Sequence, residues 1–380
     1  MFTILHADVY YNAVFRLSMV YKKNKIRDFI IDNVSGYPKD IVNLTARNFS
    51  ISKQAVYKHI NILIKRGVLE AEDKVKSRKY ALKLIIDKYF KFIINQDLAE
   101  DKIWRLHISN FLKSFSQNII DICHHGFTEI FNNAIDHSNG NEVVAFIKIT
   151  ASEIQLKIMD DGIGIFNKIK NELGLEDERH AILELSKGKL TTDSERHSGE
   201  GIFFTSRIFD KFSIDSRQYF FSHFEDDDWL FEFDEQRNIT EGTIITMAIK
   251  TNSKRTTKEV FDSYASESDD FGFTKTHVPV ALAQYGEDNL VSRSQAKRLL
   301  ARFDKFKEVL LDFKDVKFIG QAFTDEIFRV FYNDNPNILL KWINTNEYVE
   351  KMIQRVVQSG EFINKIEEKK GPDYEQKKLF

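Results

Sequence analysis

A chain of 380 residues that is 42% hydrophobic and 29% charged holds enough apolar material for two or three compact domains, which excludes a disordered chain. Its single cysteine, Cys123, excludes an internal disulfide framework, and no Cys/His group has zinc spacing. No apolar run approaches the roughly 20 residues that span a bilayer, and Asp8 and Arg16 interrupt the apolar start where a signal peptide would be uniform, so a cytoplasmic protein without a membrane partner is expected.

The net charge of −2 conceals a split. Residues 1–84 carry 16 Lys and Arg against 7 Asp and Glu, a balance of +9 that leaves −11 for the remainder. A basic segment ahead of an acidic body suggests a polyanion contact. Along it, residues 25–34 have helical apolar spacing that Ser35-Gly36 ends, and a second short helix covers Asp40 to Asn48. Ser52 caps a third, in which Ala55, Val56, Ile60, Leu63 and Ile64 turn inward and Lys53, Gln54, Tyr57, Lys58 and Asn61 outward. A strand starts at Gly67-Val-Leu-Glu70, and the basic turn Lys74 to Lys79 leads into Tyr80-Ala-Leu82. This run resembles a winged helix-turn-helix with Lys74 to Lys79 as the wing. The resemblance implies that residues 1–85 contact double-stranded DNA, with base readout by Gln54, Tyr57 and Lys58 and phosphate contacts from Lys53, Arg78 and Lys79. Winged-helix docking modules share the same core, so a protein partner is the alternative. Residues 86–116 are expected to form a connecting helical segment.

Three separated elements then converge on one chemistry. The first is a helix from Ile119 to His137, in which Glu129, Asn133 and Asp136 are spaced to share a face while Ile130, Phe131, Ala134 and Ile135 pack elsewhere. Such a stripe can orient water and hold Mg²⁺ through oxygen ligands. The second is the alternating strand Glu153 to Met159, ending in Asp160-Asp-Gly162-Ile-Gly164. A carboxylate at a strand end can accept the adenine amino proton, and the glycines let backbone approach the ring. The third is Ser198-Gly199-Glu-Gly201, which opens an apolar-periodic helix to Phe209 and points backbone N–H groups at phosphates. No Gly-x-x-x-x-Gly-Lys-Ser/Thr occurs, which excludes a P-loop. A last strand runs from Gly242 to Ile249.

In order and spacing these elements resemble the ATP-binding domain of the gyrase, heat-shock chaperone, histidine kinase and MutL superfamily, over residues 117–250. The resemblance implies a Bergerat-type α/β sandwich with a mixed sheet, and ATP and Mg²⁺ as cofactors. It makes Glu129 the base or water-orienting carboxylate and Asn133 the magnesium ligand, with Asp136 beside them. Asp160 reads adenine, Gly162 and Gly164 allow its approach, Gly199 and Gly201 contact phosphates, and Thr243 supports the adenine pocket. His137, in Asn-Ala-x-x-His, matches the anti-sigma-factor kinase branch and equally suits a helix-end cap. Ile165 to Ser198 takes the place of the lid, from which Lys187, Lys189 or Arg196 could reach the γ-phosphate. Cys123 reads as a core thiol, and Glu225 to Asp228 as an exposed hairpin tip.

Residues 251–270 are polar and serine-rich and read as a linker. Over 271–360 strands and helices alternate: strand Val278–Ala283, helix Ser292–Phe306, strand Glu308–Phe313, helix Ala322–Phe331, strand Ile338–Trp342 and helix Asn346–Val357, an α/β layer. The stretch from Val309 to Phe331 resembles STAS-like domains, the fold of anti-anti-sigma factors. Those carry a phosphoacceptor serine at the helix start. Here Gly320-Gln-Ala-Phe stands there and Thr324 is the only nearby hydroxyl, so docking of a regulatory protein, or homodimerisation, is expected over phosphorylation. Residues 361–380 read as a charged tail. The whole is an α+β multi-domain chain, similar to bacterial proteins that join these three modules in signalling or transcription regulation. An ATP-binding regulator that hydrolyses Mg-ATP is the first reading. A serine/threonine-type kinase acting on a partner protein, or an ATP-gated clamp without DNA binding, are the alternatives. No His-Glu/Asp-x-x-Pro helix precedes the ATP domain, so histidine autophosphorylation is not expected.

Overall fold

The computed structural model describes residues 24–72, 78–190, 199–224, 227–233, 241–265, 273–284 and 288–358, which fall into two compact units. The first takes the described residues up to Phe90 with 146–156 and 248–253; the second takes 91–145, 157–247 and those from Lys254 onward.

In the first unit, helix α1 covers 24–33, α2 Ile41–Phe49 and α3 Lys53–Lys65. Ser50 turns the chain between α2 and α3 in the left-handed region (φ 51°). The Ser52 side chain accepts the Ala55 N–H, satisfying a donor that the first turn would otherwise leave unpaired. Apolar positions at helical spacing give each helix one inward face, and Ile30, Val34, Ile41, Val56, Ile60 and Leu63 close a shared core with Leu69 and Tyr80. The last two belong to an antiparallel ribbon of β1 (Leu69–Glu72) and β2 (Lys79–Leu82), registered Leu69 to Leu82. Lys53, Gln54, Tyr57, Lys58 and Asn61 are all exposed on α3. Arg78 is exposed with its guanidinium over the Tyr80 ring, and Lys79 is half-buried. Residues 74–77 of the expected wing lie outside the described residues.

The sheet that carries the site has seven strands: β3 (Ile86–Ile93), β4 (Glu142–Ile149), β5 (Glu153–Asp160), β6 (Lys211–Ser216), β7 (Tyr219–Phe224), β8 (Asp227–Glu232) and β9 (Thr243–Lys250). Their order is β3-β4-β5-β9-β6-β7-β8, with β6–β7 and β7–β8 antiparallel. Alternate residues of β4 and β5 are buried, the pattern of strands with one covered face. Helix α4 (Glu100–Ile103) runs into a π-helical turn over Trp104–Ile108. Next come α5 (Gln117–His137), α6 (Ile165–Leu173), α7 (Glu178–Lys187) and α8 (Gly201–Ile208). Residues 86–116 are therefore not helical throughout, because their first eight form β3. Ile86-Asp-Lys-Tyr-Phe-Lys-Phe-Ile93 is rich in aromatic and β-branched residues, which suit a pleated surface better than a helix. The flanking Ile85 and Ile94 N–H groups bond the carbonyls of Ile149 and Asn141, each at 2.8 Å.

The stretch expected as a linker, 251–270, contains helix α9 (Thr257–Tyr264), started by a reciprocal capping box between Thr256 and Glu259. Beyond it, β10 (Lys275–Pro279), α10 (Arg293–Leu300), β11 (Glu308–Asp312), α11 (Gln321–Asp325), α12 (Tyr332–Asp334), β12 (Leu339–Ile343) and α13 (Glu347–Gln358) follow in alternation. The three strands are parallel in the order β10-β11-β12. β10 stops at Pro279 and turns into a short 3₁₀ segment, where a strand to Ala283 was expected; proline has no N–H for the ladder. Thr324 is fully buried and its hydroxyl donates to Gly320 O at 2.9 Å. Among the described residues no helix is long and apolar enough to cross a membrane.

Candidate functional site

A cavity of about 300 Å³ opens between α5, the end of β5, α6, the segment around Leu185 and Leu190, the start of α8 and the start of β9. At about 100° per residue, Glu129, Ile130, Asn133, Ala134 and His137 form one stripe of α5 and line it. Asp136, expected on that stripe, is exposed and outside the lining. Three residues beyond Asn133, it is turned about 60° back toward solvent.

The floor is built on Asp160. Its Oδ1 accepts the N–H groups of Gly162 (3.0 Å) and Thr243 (3.2 Å). Burial pushes its carboxyl up to about 6, against the lowering effect of those two bonds. Thr243 Oγ1 accepts the Ile165 N–H at 3.0 Å, so the first residue of β9 ties the end of β5 to the first residue of α6. Gly164 lines the cavity at φ 85°, a conformation that an L side chain adopts only under strain. Gly162 does not line it. A Cβ at Gly162 would strike the backbone of Ser138, so this glycine lets the β5 loop pack on the end of α5. Asp161 also turns away, and its Oδ1 accepts the N–H groups of Asn141 (2.7 Å) and Glu142 (2.9 Å).

Gly199, at φ 70°, and Gly201 line the same cavity. A Cβ on Gly201 would collide with the Glu129 carboxylate, so the acid of α5 and the N-terminus of α8 meet at one point. Ile158, Ile165, Ile169, Leu185, Leu190 and Ile245 supply apolar walls. The sequence reading missed Lys168 and Glu172, which line the cavity as an ion pair at 2.8 Å. Their i,i+4 spacing just after Gly164 was the available signal.

Two expected residues belong elsewhere. Lys187 and Lys189 are outside the lining. Lys187 is fully buried, its Nζ donating to Glu184 Oε1 (2.5 Å), Ala301 O (3.0 Å) and Arg298 O (3.1 Å). Lys189 Nζ donates to Lys305 O (2.9 Å) and lies over the rings of Phe273 and Phe306. A buried ammonium settles where it finds acceptors; for Lys187 these are its own helix's Glu184 and two carbonyls more than a hundred residues on. Arg196 lies outside the described residues. Burial pushes the Glu184 carboxyl up, but the adjacent His180, Lys187 and Arg302 together hold it down to about 2. Asp228 is likewise not part of an exposed tip. Its carboxylate is buried against Arg207 of α8 (2.9 and 3.1 Å) and His223 (2.7 Å). Burial raises that carboxyl, and the two partners outweigh it and hold it well below the usual range.

Two families match the chain. The histidine kinase-like ATPase domain matches residues 97–219, a span that includes α5, Asp160, α6, α7 and α8; Thr243 and Ile245 complete the cavity from beyond it. A STAS-like domain of unknown function matches residues 295–350, from within α10 into α13. Among curated proteins no match is found. The chain thus carries a histidine kinase-like ATPase domain, whose cavity Asp160 lines, followed by a STAS-like domain over β11 and β12.

Proposed function

We propose that this cavity binds Mg-ATP, that Glu129 orients or activates the water that hydrolyses it, and that nucleotide occupancy regulates the flanking parts of the chain. The observation that carries the reading is that one cavity with apolar walls is lined both by a hydrogen-bonded carboxylate and by the glycine-opened start of α8. Asp160, half-buried, uses Oδ1 for Gly162 and Thr243, leaving Oδ2 for an adenine amino group. On the same lining, the glycine-opened start of α8 offers backbone N–H groups to phosphates, with Glu129 beside it. Ile158, Ile165, Ile169 and Ile245 suit the faces of a purine. Magnesium takes most of its ligands from phosphate and water and needs only one or two from protein, which suits Asn133 on the same lining. When bound, the ion would neutralise phosphate charge. His137, one helical turn further, borders the same space.

The outputs are the two flanking parts. The exposed row Lys53, Gln54, Tyr57 and Lys58 on α3, in a segment with a balance of +9, supports contact with double-stranded DNA as in a winged helix-turn-helix. The STAS-like domain acts as a docking element for a regulatory protein, since Thr324 is buried and hydrogen-bonded and offers no accessible phosphoacceptor.

Incubation of the full chain with γ-labelled ATP tests the reading. Free phosphate is the expected product, abolished by Glu129→Ala with binding retained. Label appearing on an added protein would point instead to kinase action. Full-affinity ATP binding by Asp160→Asn would show that adenine lies elsewhere.

A further inference from the structure

The network around α7 joins the cavity wall to the C-terminal domain. Arg302 presents its fork to the end of that helix. Nη1 donates to Glu184 Oε2 (2.8 Å) and Glu184 O (3.3 Å), and Nη2 to Gly188 O and Lys189 O, both at 2.6 Å. The bonds run the other way as well. Lys187 Nζ reaches Arg298 O and Ala301 O, closing the C-terminal end of α10 with a cation, where the helix dipole favours one. Thr276 Oγ1 donates to Lys187 O at 2.7 Å, Arg179 to Gln284 O at 2.7 Å, and Arg298 to Glu176 at 2.9 Å.

Three features mark this contact as more than adhesion. First, Glu184 and Lys187 are 1% and 0% exposed, and apolar residues of similar volume would hold two domains together at least as well as buried charge. Second, both partners strain the backbone at the same place: Arg302 (φ 64°) and Lys189 (φ 49°) are non-glycine residues in the left-handed region. Third, the bonded residues Glu184, Gly188 and Lys189 alternate with Leu185 and Leu190, which line the cavity. Phe203 of α8 lines it too and packs on Phe273, ring centroids 4.6 Å apart. A side chain at Gly188 would strike both rings.

We propose that Arg302 is a positioning residue for the nucleotide cavity. By holding the end of α7 and the 188–189 turn, it sets the wall formed by Leu185 and Leu190, so nucleotide binding and the docking of residues 298–306 on α7 are coupled. The coupling rests on the nucleotide reading above. It is reciprocal by linkage: what steadies the dock tightens nucleotide, and nucleotide steadies the dock.

Hydrogen exchange of the full chain, with and without saturating ATP and magnesium, tests this together with calorimetric ATP affinity of the wild type, Arg302→Ala and Arg302→Lys. ATP should slow exchange at residues 298–306 in the wild type by on the order of tenfold. Arg302→Ala should weaken ATP binding by a similar factor and lose that protection. Arg302→Lys should behave like the alanine variant, since an ammonium cannot reproduce a fork spread over four acceptors. If a variant does not fold, wild-type exchange alone decides the matter. Protection around Asp160 and Gly164 without any change at 298–306 overturns the coupling and leaves the nucleotide reading intact. No heat of binding and no protection anywhere in the wild type overturns both.

Discussion

Gly201, the first residue of α8, lies directly against the carboxylate of Glu129, so that a methyl group at this position would collide with Oε2. The obstacle is the far end of a flexible side chain, which swings aside more cheaply than backbone moves. Alanine also favours a helix over glycine by about 1 kcal/mol. Gly201→Ala should therefore keep or slightly raise the melting temperature. ATP turnover should fall by on the order of 100-fold, because the acid is displaced and the helix start is covered. Parallel thermal melts and phosphate-release assays separate the two effects; unchanged turnover would remove Glu129 from the chemistry.

Asp160 should release a proton when nucleotide binds. Its carboxyl, pushed up to about 6 by burial, is half protonated near pH 6 in the free protein, and an adenine N–H donated to it favours the ionised form. Calorimetry at pH 6 in two buffers of different ionisation heat should show proton release that vanishes by pH 8 and in Asp160→Asn. The sign for stability is separate. A folded value above the unfolded 3.8 means that Asp160 contributes most below 3.8, and this contribution is lost as pH rises through about 6.

Removing Glu184 should destabilise the chain strongly. Glu184→Ala leaves Lys187 buried without its carboxylate and Arg302 short of one acceptor, a change of about 3–5 kcal/mol in denaturant unfolding. The double substitution Glu184→Leu with Lys187→Met should recover much of that loss, because no isolated charge stays buried. With a folded value of about 2 against 4.5, the stability that Glu184 contributes is present above 4.5 and lost as pH falls toward 2.

DNA binding, if it runs through α3 and β2, should carry a salt signature. Lys58 and Arg78 are both exposed, and a cation that no longer neutralises its phosphate lowers the slope of log affinity against log salt by about 1. The full-length variant Lys58→Ala with Arg78→Ala should show a slope reduced by about 2. Equal slopes for variant and wild type would assign this face to a protein partner.

Cys123 should report global unfolding. It is fully buried on α5 and burial pushes its thiol well up, so the thiolate that reacts is scarce twice over. Alkylation of the native chain should be slow and should accelerate together with loss of far-ultraviolet helix signal; rapid native labelling would mean that α5 opens locally.

Sequence determined what depends on near neighbours. The alternation in Glu153 to Asp160 made a half-covered strand. Ser52 and Ser292 placed the starts of α3 and α10 within a residue, because capping acts within one turn. The spacing of Glu129 and Asn133 with the glycines at 164, 199 and 201 was legible as one site, since each motif is a local geometry. Tertiary structure decided everything that turned on a distant partner. It tied Asp160, already the expected adenine reader, to Thr243, 83 residues away. It turned Asp136 outward and made Gly162 a packing glycine. It took Lys187 from the nucleotide and gave it to Arg298 and Ala301, more than a hundred residues on. A charged side chain commits to whichever acceptors the fold brings to it, and local spacing does not say which these will be.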